Sequence, residues 1–309
     1  MPGPARLLLA ALAAASALSA RAAVAQPASP PPVAPRAPAA PAAPRSLDAL
    51  PARFALLDGR RVLYRTAGTG PRTLVLVHGW SCSMELFREQ LPLASELRLL
   101  LVDLPGHGGS EVPEAPLGMD LFARSVLAAM DAAGVGRAVL AGHSMGAAVV
   151  RQVYRRAPER VLGLVSVDGA LRPYFTRAEE ARAYVAPLEA KDGRAAFLRR
   201  VDGMLPPTMP EELRALVRST MEKTPQAVVV GAAKAMVDLS IWKEDPIGVP
   251  LLSILAKSPY WDEGYRAFVR KLQPEAGFVE VEGAGHFLML ERPGPVDDAL
   301  LRFVAASAR

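Results

Sequence analysis

The chain has 309 residues, with 36 basic and 31 acidic side chains, four histidines and one cysteine. The formal charge of +5 is gathered at the start: residues 1–51 hold four arginines and one aspartate, which leaves 32 basic against 30 acidic groups beyond them. A nearly neutral body without a basic stripe interleaved with aromatics argues against nucleic-acid binding, and a lone Cys82 excludes an internal disulfide.

Arg6, the apolar run Leu7–Leu18 and Ala23-Val24-Ala25 follow one another in the basic, apolar, small-x-small order of a secretory signal peptide. Arg21 interrupts the run before it reaches the ~20 apolar residues of a membrane span. Residues 1–25 are therefore expected to be a signal peptide cleaved after Ala25, exporting the protein to the periplasm or beyond with no stable membrane span after processing. Residues 26–51 contain nine prolines. Proline lacks a backbone donor and fixes its own φ, so this tract is expected to be an extended, disordered linker. From Ala52 to Arg309 the length suits one large domain.

Within that domain, Phe54–Leu57 and Arg61–Arg65, split by Asp58-Gly59, predict an opening hairpin. Thr73–Val77, Arg98–Val102, Ala138–Ala141, Val161–Val167, Leu251–Leu255 and Gly277–Val281 are short apolar runs, the pattern of strands buried on both faces of a parallel sheet. Helical spacing marks Met119–Ala133, Met145–Ala157 and Asp297–Ala305. Alternating strands and helices predict an α/β fold with a doubly wound, mostly parallel sheet. Residues 170–248 separate two strands by far more than a crossover needs. Helical patterns at Glu211–Met221 and Gln226–Leu239 predict that this interval is a helical cap, inserted after the sixth strand over the carboxyl edge where such sheets bind ligands.

Gly142-His143-Ser144-Met145-Gly146 lies between a predicted strand and a predicted helix. Gly-x-Ser-x-Gly in that setting is a nucleophile elbow: a tight turn that exposes the serine hydroxyl above the sheet, at a helix N-terminus that favours developing negative charge. Serine needs a base to attack at neutral pH. His143 is inside the elbow, where its side chain is expected to point away from the reacting face. His78 and His107 sit in other loop motifs, and His286 follows the last strand in Gly283-Ala284-Gly285-His286-Phe287. His286 is the candidate base.

His78-Gly79-Trp80, Asp103-Leu104-Pro105-Gly106-His107-Gly108-Gly109-Ser110, the Ser144 elbow and Gly285-His286-Phe287 with Glu291-Arg292-Pro293 occur in that order. Together they resemble the α/β-hydrolase superfamily, in its esterase, lipase and haloperoxidase-like branch, over roughly residues 54–308. The resemblance implies the α/β-hydrolase fold and an oxyanion hole formed by the backbone N–H groups of Trp80 and Met145. It leaves the acid open. Its usual place, just after Leu251–Leu255, reads Ala256-Lys257-Ser258-Pro259-Tyr260-Trp261-Asp262, with Asp262 late and suited to a helix N-cap. Asp168, at the end of the preceding strand, is the preferred candidate, and Asp262 the alternative. Asp103 and His107 are expected to brace their loop. Cys82 is expected to be a buried thiol, and Met204, Leu205 and Met209 core residues of the cap or an acyl-binding wall.

The expected activity is hydrolysis of a small carboxylic ester by Ser144, His286 and Asp168 through an acyl-enzyme. Amide, lactone or carbon–carbon bond hydrolysis and cofactor-free perhydrolysis are alternatives on the same residues, and a non-catalytic ligand receptor is an alternative of another class. No cofactor is called for. No histidine or cysteine pair has metal-ligand spacing, and no glycine loop leads to a phosphate-binding lysine.

Overall fold

The computed structural model describes residues 46–307. The expected signal peptide and all but the last six residues of the expected linker lie outside them. In chain order the elements are β1 (Arg53–Leu57), β2 (Arg60–Ala67), β3 (Thr73–Val77), β4 (Arg98–Val102), α1 (Met119–Ala132), β5 (Ala138–His143), α2 (Met145–Arg156) and β6 (Val161–Val167). There follow α3 (Ala178–Glu189), α4 (Gly193–Gly203), α5 (Glu211–Glu222), α6 (Gln226–Val237), β7 (Leu251–Ala256), α7 (Glu263–Leu272), β8 (Gly277–Val281), α8 (Leu288–Glu291) and α9 (Pro293–Ala306).

The eight strands form one sheet in the order β1-β2-β4-β3-β5-β6-β7-β8. β1 and β2 join antiparallel, β2 pairs antiparallel with β4, and every later pairing is parallel. Leu74–Val77, Leu99–Val102 and Ala138–Ala141 are buried throughout, as continuous apolar strands between two helix layers must be. In register, Val77 lies beside Gly142, and His143 beside Val167. The loops that leave β3, β5 and β6 therefore emerge together at one edge, bringing Trp80, Ser144 and Asp168 into one neighbourhood. Helices α3–α6 all fall between β6 and β7, which is the cap interval expected from the sequence.

Three departures have physical causes. The domain starts before Ala52: Ser46 caps a short turn at Leu47–Ala49, Leu47 and Leu50 join the hydrophobic core, and Arg65 donates to the Leu50 carbonyl. Two leucines thus anchor the end of a proline-rich tract. Helix α9 begins at Pro293, because a proline in the first turn forfeits an N–H that has no partner there anyway. The Met84–Ser95 segment forms 3-10 turns, bent at Phe87 and carrying Pro92, so no single helical period runs through it.

Candidate active site

Ser144 occupies the one-residue turn between β5 and α2, at φ 53° and ψ −120°. Few non-glycine residues adopt a positive φ, and it stores strain. The flanking glycines make the turn possible. A Cβ on Gly142 would strike the Gly146 carbonyl, and one on Gly146 would strike the Val77 carbonyl. The Ser144 N–H donates to the Val167 carbonyl at 3.0 Å, fixing the turn to β6.

Asp168 is the first residue beyond β6 and also has positive φ, 45°. Its carboxylate is buried and fully engaged. Oδ1 accepts from the Ala256 N–H at 2.9 Å and from the Trp261 indole N–H at 2.8 Å, while Oδ2 lies 2.7 Å from His286 Nδ1. His286 Nε2 lies 3.0 Å from Ser144 Oγ. A carboxylate can only accept, so Nδ1 carries the proton and Nε2 is free to accept from the serine hydroxyl. Asp262 is elsewhere: its exposed side chain accepts the Tyr265 N–H at 2.8 Å and caps α7. The two candidate acids thus have separate places, Asp168 against His286 and Asp262 at a helix end.

Trp80 and Met145 lie at the turn after β3 and at the start of α2. As the first residue of α2, Met145 has an N–H without an intrahelical acceptor, and the Trp80 N–H meets no backbone acceptor among the described residues. The strand-to-loop turn at Gly79 presses on the elbow, so that a Cβ there would lie 2.9 Å from the Ser144 Cβ. The Trp80 side chain, 5% exposed, is held by the cap. Its indole N–H donates to the Val229 carbonyl at 2.8 Å, and its ring meets Phe197 edge-on at 5.3 Å. The Thr224 hydroxyl donates to the Ser81 carbonyl at 3.0 Å. The loop of residues 79–81 and the cap are thereby pinned together.

The other three histidines are buried braces. His78 Nε2 accepts the Leu104 N–H at 3.0 Å, so its Nδ1 donates to the Gly79 carbonyl at 2.8 Å. Burial holds His78 well below the usual imidazole range, and holds His107 down at about 4. Asp103 accepts the Met84 and Gly109 N–H groups at 2.7 and 2.9 Å, and burial pushes its carboxyl up to about 6. His143 corrects an expectation, because its ring turns toward the reacting residues. It lies 4.8 Å from the His286 ring, and its Nε2 donates to the His286 carbonyl at 2.8 Å. Burial, then the neighbouring His286, lowers His143 to about 3, so it is a neutral prop for the His286 loop.

A cavity of about 180 Å³ opens at Ser144 and His286, walled by Trp80, Phe175, Met221, Met236 and Phe287 among others. Met204 also lines it, whereas Leu205 and Met209 are buried in the core. Cys82 reaches the cavity wall, with its thiol bonded to the Trp80 carbonyl at 3.3 Å and pushed far up by burial. That protonated thiol is a poor nucleophile.

Sequence reasoning assigned no role to two residues that position the others. Trp261 is the first; its indole N–H was the only available signal. Glu291 is the second: its Oε1 accepts the Gly285 N–H at 3.0 Å and steadies the turn before His286. Among the described residues no cluster of three or more histidine, cysteine or acidic side chains could hold a metal ion, and no helix is long and apolar enough to cross a membrane.

Residues 74–299 match the profile of the alpha/beta hydrolase family. A dihydrolipoyllysine-residue acetyltransferase component of the acetoin cleaving system from Pseudomonas putida is 29% identical over 80% of this chain and 67% of its own length. A pimeloyl-[acyl-carrier protein] methyl ester esterase from Edwardsiella ictaluri is 39% identical over 37% of this chain and 42% of that protein. The chain thus matches less than half the length of some curated relatives. Among solved structures, a thermophilic esterase from Thermogutta terrifontis superposes with a TM-score of 0.73 at 24% identity, covering 84% of this chain and 99% of that one.

Proposed function

The chain belongs to the alpha/beta hydrolase family, and on that premise we propose that it is an exported serine hydrolase of carboxylic esters. The observation that carries this reading is the continuous hydrogen-bond chain from Asp168 through His286 to Ser144, at 2.7 and 3.0 Å, ending in the wall of an apolar cavity. In this mechanism Ser144 Oγ attacks the ester carbonyl while His286 Nε2 takes its proton. Asp168 holds the imidazole in the required tautomer and stabilises the imidazolium that forms. The N–H groups of Trp80 and Met145 receive the oxyanion, where preorganised donors can supply several kcal/mol of transition-state stabilisation. His286 then protonates the departing alcohol, and a water activated by the same imidazole hydrolyses the acyl-enzyme. A relative named as a methyl ester esterase supports the choice of a carboxylic ester. Export rests on the composition of residues 1–25.

The test is turnover of p-nitrophenyl esters by the full chain and by Ser144→Ala, with labelling by a serine-directed phosphonate. Turnover and labelling that both vanish in Ser144→Ala are the expected result. No turnover and no adduct in the unaltered protein would overturn the reading.

A further inference from the structure

Two cavities meet at His286, and they differ in the way that the two halves of an ester differ. The first, of about 180 Å³, contains Ser144 and Trp80 and is walled by apolar side chains. The second, of about 630 Å³, is bounded by Asp168, Lys257, Tyr260, Trp261 and Gly285. His286, Tyr174 and Met204 line both, whereas neither Ser144 nor Trp80 lines the second.

The chemistry assigns the halves. In the tetrahedral intermediate the former carbonyl oxygen sits against the Trp80 and Met145 N–H groups, and the leaving oxygen must lie within hydrogen-bond reach of His286 Nε2. The acyl group is therefore directed into the cavity that holds Ser144 and Trp80. The alcohol leaves toward the cavity that holds His286 without the nucleophile.

Size and lining then set the substrate. An apolar cavity of ~150 Å³ admits benzene, so 180 Å³ suits an acyl chain of about seven carbons. The alcohol side is more than three times larger and aromatic. Tyr174 and Tyr260 lie nearly parallel, 28° apart with ring centroids at 6.3 Å, and Trp261 meets Tyr260 edge-on at 4.8 Å. Tyr260 is 44% exposed, which leaves a ring surface free to stack. Lys257 at the rim is already paired with Glu282 at 2.9 Å, so nothing there calls for an anionic alcohol. Resting on the ester-hydrolase reading, we infer that the preferred substrates join a compact apolar acyl group to a large alcohol bearing an aromatic ring.

The experiment varies the two halves separately. With p-nitrophenyl esters from acetate to dodecanoate, kcat/KM is expected to peak at or below octanoate and to fall about tenfold by dodecanoate, because a filled cavity resists overpacking. With butyrate held fixed, the 3-phenylpropyl ester is expected to exceed the propyl ester by about tenfold in kcat/KM, the two alcohols being alike in acidity. Tyr260→Ala, checked for an unchanged thermal melt, is expected to shrink that preference by about fivefold. Rates that climb through dodecanoate, or equal rates for the two butyrates, would overturn the inference while phosphonate labelling of Ser144 leaves the hydrolase reading intact. Absence of any turnover and any adduct would overturn both.

Discussion

The Trp261 indole N–H donates to Asp168 Oδ1 at 2.8 Å, while the other carboxylate oxygen faces His286 at 2.7 Å. Trp261 touches neither Ser144 nor the cavity that holds it, yet it fixes the rotation of the carboxylate that fixes the imidazole. A hydrogen bond to a charged group contributes about 1.5–3 kcal/mol. Only part of that is lost from the transition state, because the Ala256 N–H still holds Oδ1. Trp261→Phe should lower kcat roughly tenfold with little change in KM. Steady-state kinetics on one p-nitrophenyl ester decide it; unchanged kcat would make the contact a packing detail.

The two aspartates weighed as acids should separate cleanly. Asp168→Asn keeps the shape but disfavours the Nδ1–H tautomer, and a drop in kcat on the order of 10⁴ is expected from a triad acid. Asp262→Asn should leave kcat within about twofold, since asparagine caps a helix as well as aspartate does. Asp262→Ala should lower stability by about 1 kcal/mol through the lost α7 cap, with kcat again preserved. A large loss of kcat in Asp262→Asn would contradict the geometry.

The cap's grip on the loop of residues 79–81, proposed to carry an oxyanion-hole donor, is open to a conservative test. Thr224→Val keeps the side-chain shape but removes the donor to the Ser81 carbonyl, at a residue held in positive φ, 56°. A buried acceptor left unpaired costs about 1–3 kcal/mol. If the loop relaxes as a result, the Trp80 N–H moves and kcat should fall about fivefold. Paired melting and kinetic measurements separate the outcomes: a lower Tm with unchanged kcat would mean that the contact holds the cap alone.

Most of the sheet was legible because each central strand is a continuous apolar run, and such runs have few other places to go. The elbow was legible because Gly142, Ser144 and Gly146 are required by backbone crowding that any such turn imposes. The acid was not settled by spacing: Asp168 stands 118 residues before His286 and Asp262 only 24, and it is the fold that brings Asp168 against the imidazole and leaves Asp262 at the start of α7. The roles of Trp261 and Glu291 were not legible, although Glu291 stands in a motif of the resemblance, because each acts by one hydrogen bond, to a residue distant in sequence or across a turn. Helices α3 and α4 escaped the helical period because Pro187 lies inside one and glycines bound the other. The orientation of His143 was misjudged because its hydrogen-bond partner, the His286 carbonyl, lies 143 residues away.

Buried histidines make stability pH-dependent with a definite sign. His143 and His107 are lowered from 6.5 to about 3 and about 4 by burial. Between those values and 6.5 the unfolded chain binds protons that the folded chain does not, so stability rises with pH across the window. It is fully present above pH 6.5 and is lost as pH falls toward 4. Asp103 and Asp297, raised by burial to about 6 and about 7, act with the opposite sign over the same range, so the readout is the difference between proteins: on going from pH 7.5 to pH 5, His107→Gln, which cannot take up a proton, should lose less Tm than the unaltered protein. Equal losses of Tm in the two proteins would rule out neutral burial of His107.

Ser144 itself should be more comfortable as glycine than as serine. Its φ of 53° with ψ of −120° lies where a side chain is strained by about 1–3 kcal/mol. Glycine relieves that strain but gives back part of the gain, about 0.4–1 kcal/mol, through its freer unfolded chain. Ser144→Gly should accordingly be stabilised by about 1 kcal/mol, a rise in Tm of roughly 2–4 °C for a domain of this size, while losing its turnover. Ser144→Ala keeps a Cβ, so it should lose turnover without that rise. Calorimetry on the two variants checks the difference. If Ser144→Gly melts no higher than Ser144→Ala, the elbow stores no strain.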